Sequence, residues 1–183
     1  SGVIPALENG GRDLKVFQQI AAHESSHVKF LIAGLGGPGS ANFVAKPTFD
    51  FTVGGTFDPF HDYPTFLALA QAFEDTGVRA YKGQAANLIT TPDLLTAALQ
   101  IHSVEARHAS EVRRLRKLKG WISNADRGAG MPPATQAVYD GEGVTTQAGF
   151  NTAAAFGASA GSEAYDEALT TQQVVDIANI FIV

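Results

Sequence analysis

The chain has 183 residues, 45% apolar and 17% charged, which suits one domain with a sizeable core. A formal charge of -5 argues against general attraction to nucleic acid or anionic lipid, both of which need a surplus of Lys and Arg. No cysteine is present, so disulfides and thiolate ligands are excluded and any metal must sit on nitrogen and oxygen donors. No run approaches the roughly 20 apolar residues of a membrane-spanning helix, so no membrane span is expected.

The chain opens Ser1-Gly2-Val3 without Met. It reads as a processed or partial chain, with a signal peptide among the candidates for what precedes it. From about Asp13 to Leu35, Phe17, Ile20, Ala21, Val28, Leu31 and Ile32 form a helical stripe that stops at Gly36-Gly37-Pro38-Gly39. Gly34 to Gly39 matches a dinucleotide-binding pattern literally, but it follows a helix instead of a strand and reads as a helix stop.

Ser40 to His61 turns to aromatics and turn formers, among them Phe43, Phe49, Phe51, Gly54, Gly55 and Phe57, which fits a long crossover packed by its own rings. Asp62 and Pro64 open a second helix, carried by Phe66, Leu67, Ala70, Phe73, Val78 and Tyr81 to about Leu88. After a brief turn, Thr91-Pro92 starts a third helix that runs to about Lys119. So short a link makes antiparallel neighbours. Beyond Trp121 lie about forty residues rich in Gly, Ala, Ser and Thr, longer than a typical structureless loop and expected to form an ordered excursion or a mobile arm. Thr170-Thr171 then precedes a short amphipathic piece, Val174 to Phe181, read as a final helix packed back on the body.

The chemistry lies in the seams of these helices. In the third, Leu94, Ala98, Ile101, Glu105, His108, Val112 and Leu115 follow steps of four and three. A buried carboxylate or imidazole is costly alone, so Glu105 and His108 need a cation, a polar network or a wet pocket, and at i and i+3 both reach one point. The first helix repeats the arrangement with Phe17, Ile20, Glu24, His27 and Leu31. The second aims Glu74 the same way, between Ala70 and Gly77. Glu24 lies about eleven residues into its helix, Glu74 about ten past Pro64 and Glu105 about thirteen past Pro92. At about 1.5 Å per residue, these near-midpoints fall at similar heights in packed helices. Hard first-row metals, iron or manganese before zinc, suit such a set. A polar core network that binds no metal remains the competing reading.

The stretches Ile20–Val28, Phe73–Tyr81 and Val104–Ala109 resemble the ferritin-like family that includes desiccation-related and stress-response proteins of bacteria, fungi and plants. The resemblance is good over about Ser1 to Lys119 and looser through Glu163 to Val183. It implies an all-α, ferritin-like antiparallel bundle with a long crossover, an irregular C-terminal arm and a short terminal helix. The bundle would occupy residues 1–120, and the arm and last helix residues 121–183. It also implies two iron or manganese ions on Glu24, His27, Glu74, Glu105 and His108, with any activity being redox chemistry on oxygen or peroxide. The family's first helix, which bears one more Glu, has no counterpart here, and Ser1 to Gly11 looks like the loop after it. A role in stress or desiccation and export from the cytoplasm are further expectations. The alternative is a non-catalytic structural or interaction protein on a metal-free scaffold, as a homo-oligomer or a subunit of an assembly.

Other residues read more plainly. Arg107, Arg113, Arg114, Arg116, Lys117 and Lys119 complement the helix dipole as a solvated face. His23 and His102 stand one position off their seams, His61 stands beside a helix start, and Tyr81 reads as a core aromatic near Glu74.

Overall fold

The computed structural model describes Leu7 and residues 11–183, so most of the expected Ser1–Gly11 loop lies outside the described residues. The chain is mostly helical. Three long helices dominate: α1 (Arg12–Gly34), α2 (Tyr63–Gln84) and α3 (Pro92–Leu115). Their bounds follow local chemistry. The chain leaves α1 through Gly36 and Gly37, both at positive φ where an L side chain is strained. α3 carries Pro92 at its first turn with Asp93 beside it, and Arg113 and Arg114 in its last turn, each favourable to the dipole. α2 is extended by a 3-10 turn, Ala85–Leu88, before α3 begins.

The chain forms two compact units, residues 1–63 with 181–183, and residues 64–180. The first holds α1 and the crossover. There Phe49 stacks on Phe51 with centroids 5.5 Å apart, and Phe49 bridges to Ile182 of the chain end. Asp50 makes the turn between them: its carboxylate accepts from Thr52 N at 2.8 Å, Thr52 Oγ1 at 2.6 Å and Gly54 N at 2.7 Å. These three donors hold its carboxyl below the usual range. The aromatics expected to pack the crossover therefore do so in part. No residue of α1 is fully buried, and Val28 and Leu31 are 53% and 43% exposed.

The second unit shows how the excursion is ordered. After α3 come a 3-10 turn (Pro133–Val138), a two-residue hairpin of β1 (Thr146–Gln147) and β2 (Phe150–Asn151), and short helices α4 (Thr152–Phe156) and α5 (Ala158–Glu163). The chain ends in α6 (Thr171–Ala178), started by a reciprocal capping box between Thr170 and Gln173. The core of this unit joins Ala68 and Ala72 of α2 to Ile122, Met131, Val138, Tyr139, Leu169 and Ile177. The segment after Trp121 is thus a wall of the core.

α2 and α3 run antiparallel, as the short link requires: Gln71 meets Arg116, Asp75 meets Arg113 and Gly77 meets Glu105, the second number falling as the first rises. The last approach is close, since a Cβ on Gly77 would lie 3.5 Å from Glu105 Cγ. A second face of α2 is polar and buried. Arg79, 2% exposed, donates Nε to Glu142 Oε1 at 2.7 Å and its Nη groups to the carbonyls of Val138 and Asp140. Burial pushes the Glu142 carboxyl up to about 7, with Arg79 opposing the shift.

Candidate metal centre

Glu105 and His108 sit on the α3 seam with Ala98, Ile101 and Val112, all buried, as the steps of four and three require. Glu74 enters from α2. His108 Nδ1 lies 3.2 Å from Glu74 Oε2 and 3.4 Å from Glu105 Oε2. The side chains of His108, Glu74 and Glu105 are 7%, 12% and 6% exposed. One donor atom from each lies within 4.8 Å of the others. Ligands at about 2.0–2.2 Å on opposite sides of one ion are up to about 4.4 Å apart, so three donors this close can hold a common cation after small side-chain movements.

The electrostatics favour a cation as well. Two carboxylates and one imidazole share a nearly dry volume, and even a protonated His108 leaves a surplus negative charge there. Oxygen and nitrogen donors, with no thiolate, suit a hard first-row metal. Glu74, Glu105 and His108 could hold a metal ion.

In the first unit, Glu24 and His27 form a pair along α1, His27 Nδ1 standing 3.3 Å from Glu24 Oε1. His27 is 13% exposed and Glu24 40%. The geometry that brings these two groups to one side of α1 is the i, i+3 spacing of the Glu-x-x-His motif.

A model of the ferritin-like domain matches residues 7–118 of the chain. The chain belongs to the ferritin-like family. That match spans all three long helices and their carboxylates, and it ends at the close of α3. Neither the comparison with curated proteins nor that with solved structures finds a match. Among the described residues of this ferritin-like chain, no helix is long and apolar enough to cross a membrane.

The other histidines of the sequence have neighbours of their own. His23 Nε2 is 2.7 Å from Gln19 Nε2 on the same helix, and His61 Nδ1 is 2.8 Å from Asp58 Oδ1 at an exposed corner. His102 is part-buried, and burial holds its imidazole below the usual range. Sequence reasoning missed the network beside Glu74: Asp75 Oδ2 accepts from Arg113 Nη2 at 2.5 Å and from Tyr139 Oη at 2.7 Å, while Gln71 Nε2 donates to Tyr139 Oη at 2.9 Å. Its sign in the sequence is the row Ala68, Gln71, Ala72, Asp75, Arg79, a second helical stripe that mixes small and polar residues.

Proposed function

We propose that this ferritin-like protein binds two iron or manganese ions through Glu24, His27, Glu74, Glu105 and His108 and uses them in redox chemistry on oxygen or peroxide, in a stress or desiccation setting. The observation that carries the reading is the buried meeting of Glu74, Glu105 and His108, three hard donors within 4.8 Å of one another. Support for the other two ligands comes from the repeated Glu-x-x-His motif and from a family match that takes in α1 with α2 and α3. The metals, when bound, supply electron transfer to a small oxidant. The chain's part is to orient the donors. His108 is positioned by Glu74, Glu105 is seated against the bare Gly77 backbone, and the apolar seam around them keeps bulk water out.

The same contacts allow a second reading, because the His108 to Glu74 hydrogen bond also satisfies a polar core without an ion. Elemental analysis of protein purified from its source separates the two. Near-stoichiometric iron or manganese, retained through gel filtration and lost in Glu105→Gln with the helical circular dichroism intact, is the expected result. A folded protein that carries no metal and takes up neither ion on titration refutes the proposal and leaves a structural scaffold.

A further inference from the structure

Two cavities in the second unit share a wall, Arg113 and Trp121, and neither belongs to the metal centre. One, of about 160 Å³, is lined by Val78, Ala106, Ala109 and Ile122, with Asp75, Arg79 and Asp166 at its polar side. The other, of about 300 Å³, runs past Leu118, Lys119 and Ser123. Arg113 is 3% exposed, yet among the described residues Asp75 is the sole hydrogen-bond partner of its side chain. A guanidinium carries five N–H donors in a planar fork, so one complete edge is left for a planar pair of acceptors. Its carbon lies 5.7 Å from the Tyr139 ring centroid, so Tyr139 and Asp75 hold the fork in place. Trp121, half exposed, stands at the mouth of both cavities.

We infer that Arg113 and Trp121 form a binding site for a small organic monocarboxylate, whose carboxylate takes the free edge of the Arg113 guanidinium and whose short apolar body lies against Val78, Ala106 and Ile122. Size and charge both select this class. Drug-sized ligands occupy roughly 300–1,000 Å³, so a cavity of about 160 Å³ admits only a few heavy atoms beyond the carboxylate. The second cation in the wall, Arg79, is already committed to Glu142 and to backbone carbonyls. Arg113 is itself paired with Asp75, and Asp166 lines the same cavity, so a dianion would meet still more uncompensated negative charge than a monocarboxylate. A neutral amide of the same shape loses the charge-assisted bond that makes desolvating the site worthwhile.

Trp121 is the one tryptophan of the chain, so its fluorescence carries no signal from a tryptophan elsewhere. The whole protein is titrated with sodium butyrate, with butyramide as the neutral isostere and inorganic phosphate as the more highly charged anion. Butyrate is expected to give a saturable change, and butyramide and phosphate none. Arg113→Lys, which keeps the charge and loses the planar fork, is expected to weaken butyrate at least about tenfold. Ala106→Leu fills the cavity without touching Arg113 and is expected to abolish the response while circular dichroism stays native. Neither residue is in the Glu/His cluster, and metal content measured on the same variants separates loss of this site from loss of the metal centre. A butyramide response equal to that of butyrate, unchanged binding by a folded Ala106→Leu variant, or no response to butyrate at all would each overturn the assignment.

Discussion

Glu163 shows how much one partly buried carboxylate can organise. Its Oε1 accepts from Lys119 Nζ at 2.7 Å, Ser123 Oγ at 2.5 Å and Ser159 Oγ at 3.0 Å, tying α5 to the chain that leaves α3. Lys119 first and Ser123 second hold its carboxyl down at about 2. A depressed acid stabilises the folded state while it is ionised, so this contribution is present above about pH 4.5 and is lost as pH falls toward about 2. Glu163→Gln is therefore expected to lower the urea midpoint at neutral pH, and the gap from the wild type should close progressively between about pH 4.5 and about pH 3. A gap of constant size over that range would show that Glu163 acts by shape alone. At this scale the sequence is legible where a charged residue interrupts an apolar seam, as Glu105 and His108 do. It is opaque where the partner comes from a segment without periodicity: nothing near Asp75 or Arg113 announces that Tyr139, 64 positions after Asp75, will meet them.

Among the elements, the long helices are legible because their stripes repeat every 3.6 residues over several turns, which makes the pattern hard to mistake. The spacing placed α1 at Asp13 to Leu35 and the structure gives Arg12–Gly34; Thr91-Pro92 starts α3 in both. The C-terminal end of α2 is less sharp, since Ala85–Leu88 continues the stripe as a 3-10 turn. The hairpin and the five- and six-residue helices of the excursion are too short to show a period, and their placement depends on contacts distant in sequence. One such contact explains a glycine. Leu169 N donates to the Arg79 carbonyl at 3.1 Å, and a Cβ on Gly83, one turn further along α2, would fall 1.9 Å from Leu169 O. In an isolated helix Gly→Ala is favourable by about 1 kcal/mol, but here the backbone of Leu169 has no side-chain freedom with which to yield. Gly83→Ala is thus expected to destabilise by about 2–4 kcal/mol in urea unfolding. A gain in stability would mean that residues 164–170 are not held against α2.

For the whole molecule, the question is where a foldable piece ends. The ferritin-like match stops at residue 118, and the composition of the sequence changes just beyond it, so a cut after Gly120 looks natural. Packing argues otherwise. Six of the eight residues in the core cluster of the second unit, Ile122, Met131, Val138, Tyr139, Leu169 and Ile177, lie after that cut, against only Ala68 and Ala72 before it. Burying side chains of this size contributes roughly 1.5–3 kcal/mol each, so the six together contribute about 9–18 kcal/mol, at least comparable with the whole net stability of a typical domain. The cut also strands charges. Arg79 would lose Glu142 and the carbonyls of Val138 and Asp140, and Asp75 would lose the Tyr139 hydroxyl, leaving buried polar groups without the partners that offset their desolvation. A chain of residues 1–120 is therefore expected to lack a cooperative thermal transition, or to be recovered only as aggregate, and with it to lose the mutual positioning of Glu74 and His108. Circular dichroism melts of the full chain and the truncated one decide the matter. A truncated chain that melts cooperatively within a few degrees of the full protein would show that α2 and α3 can be stabilised without the excursion.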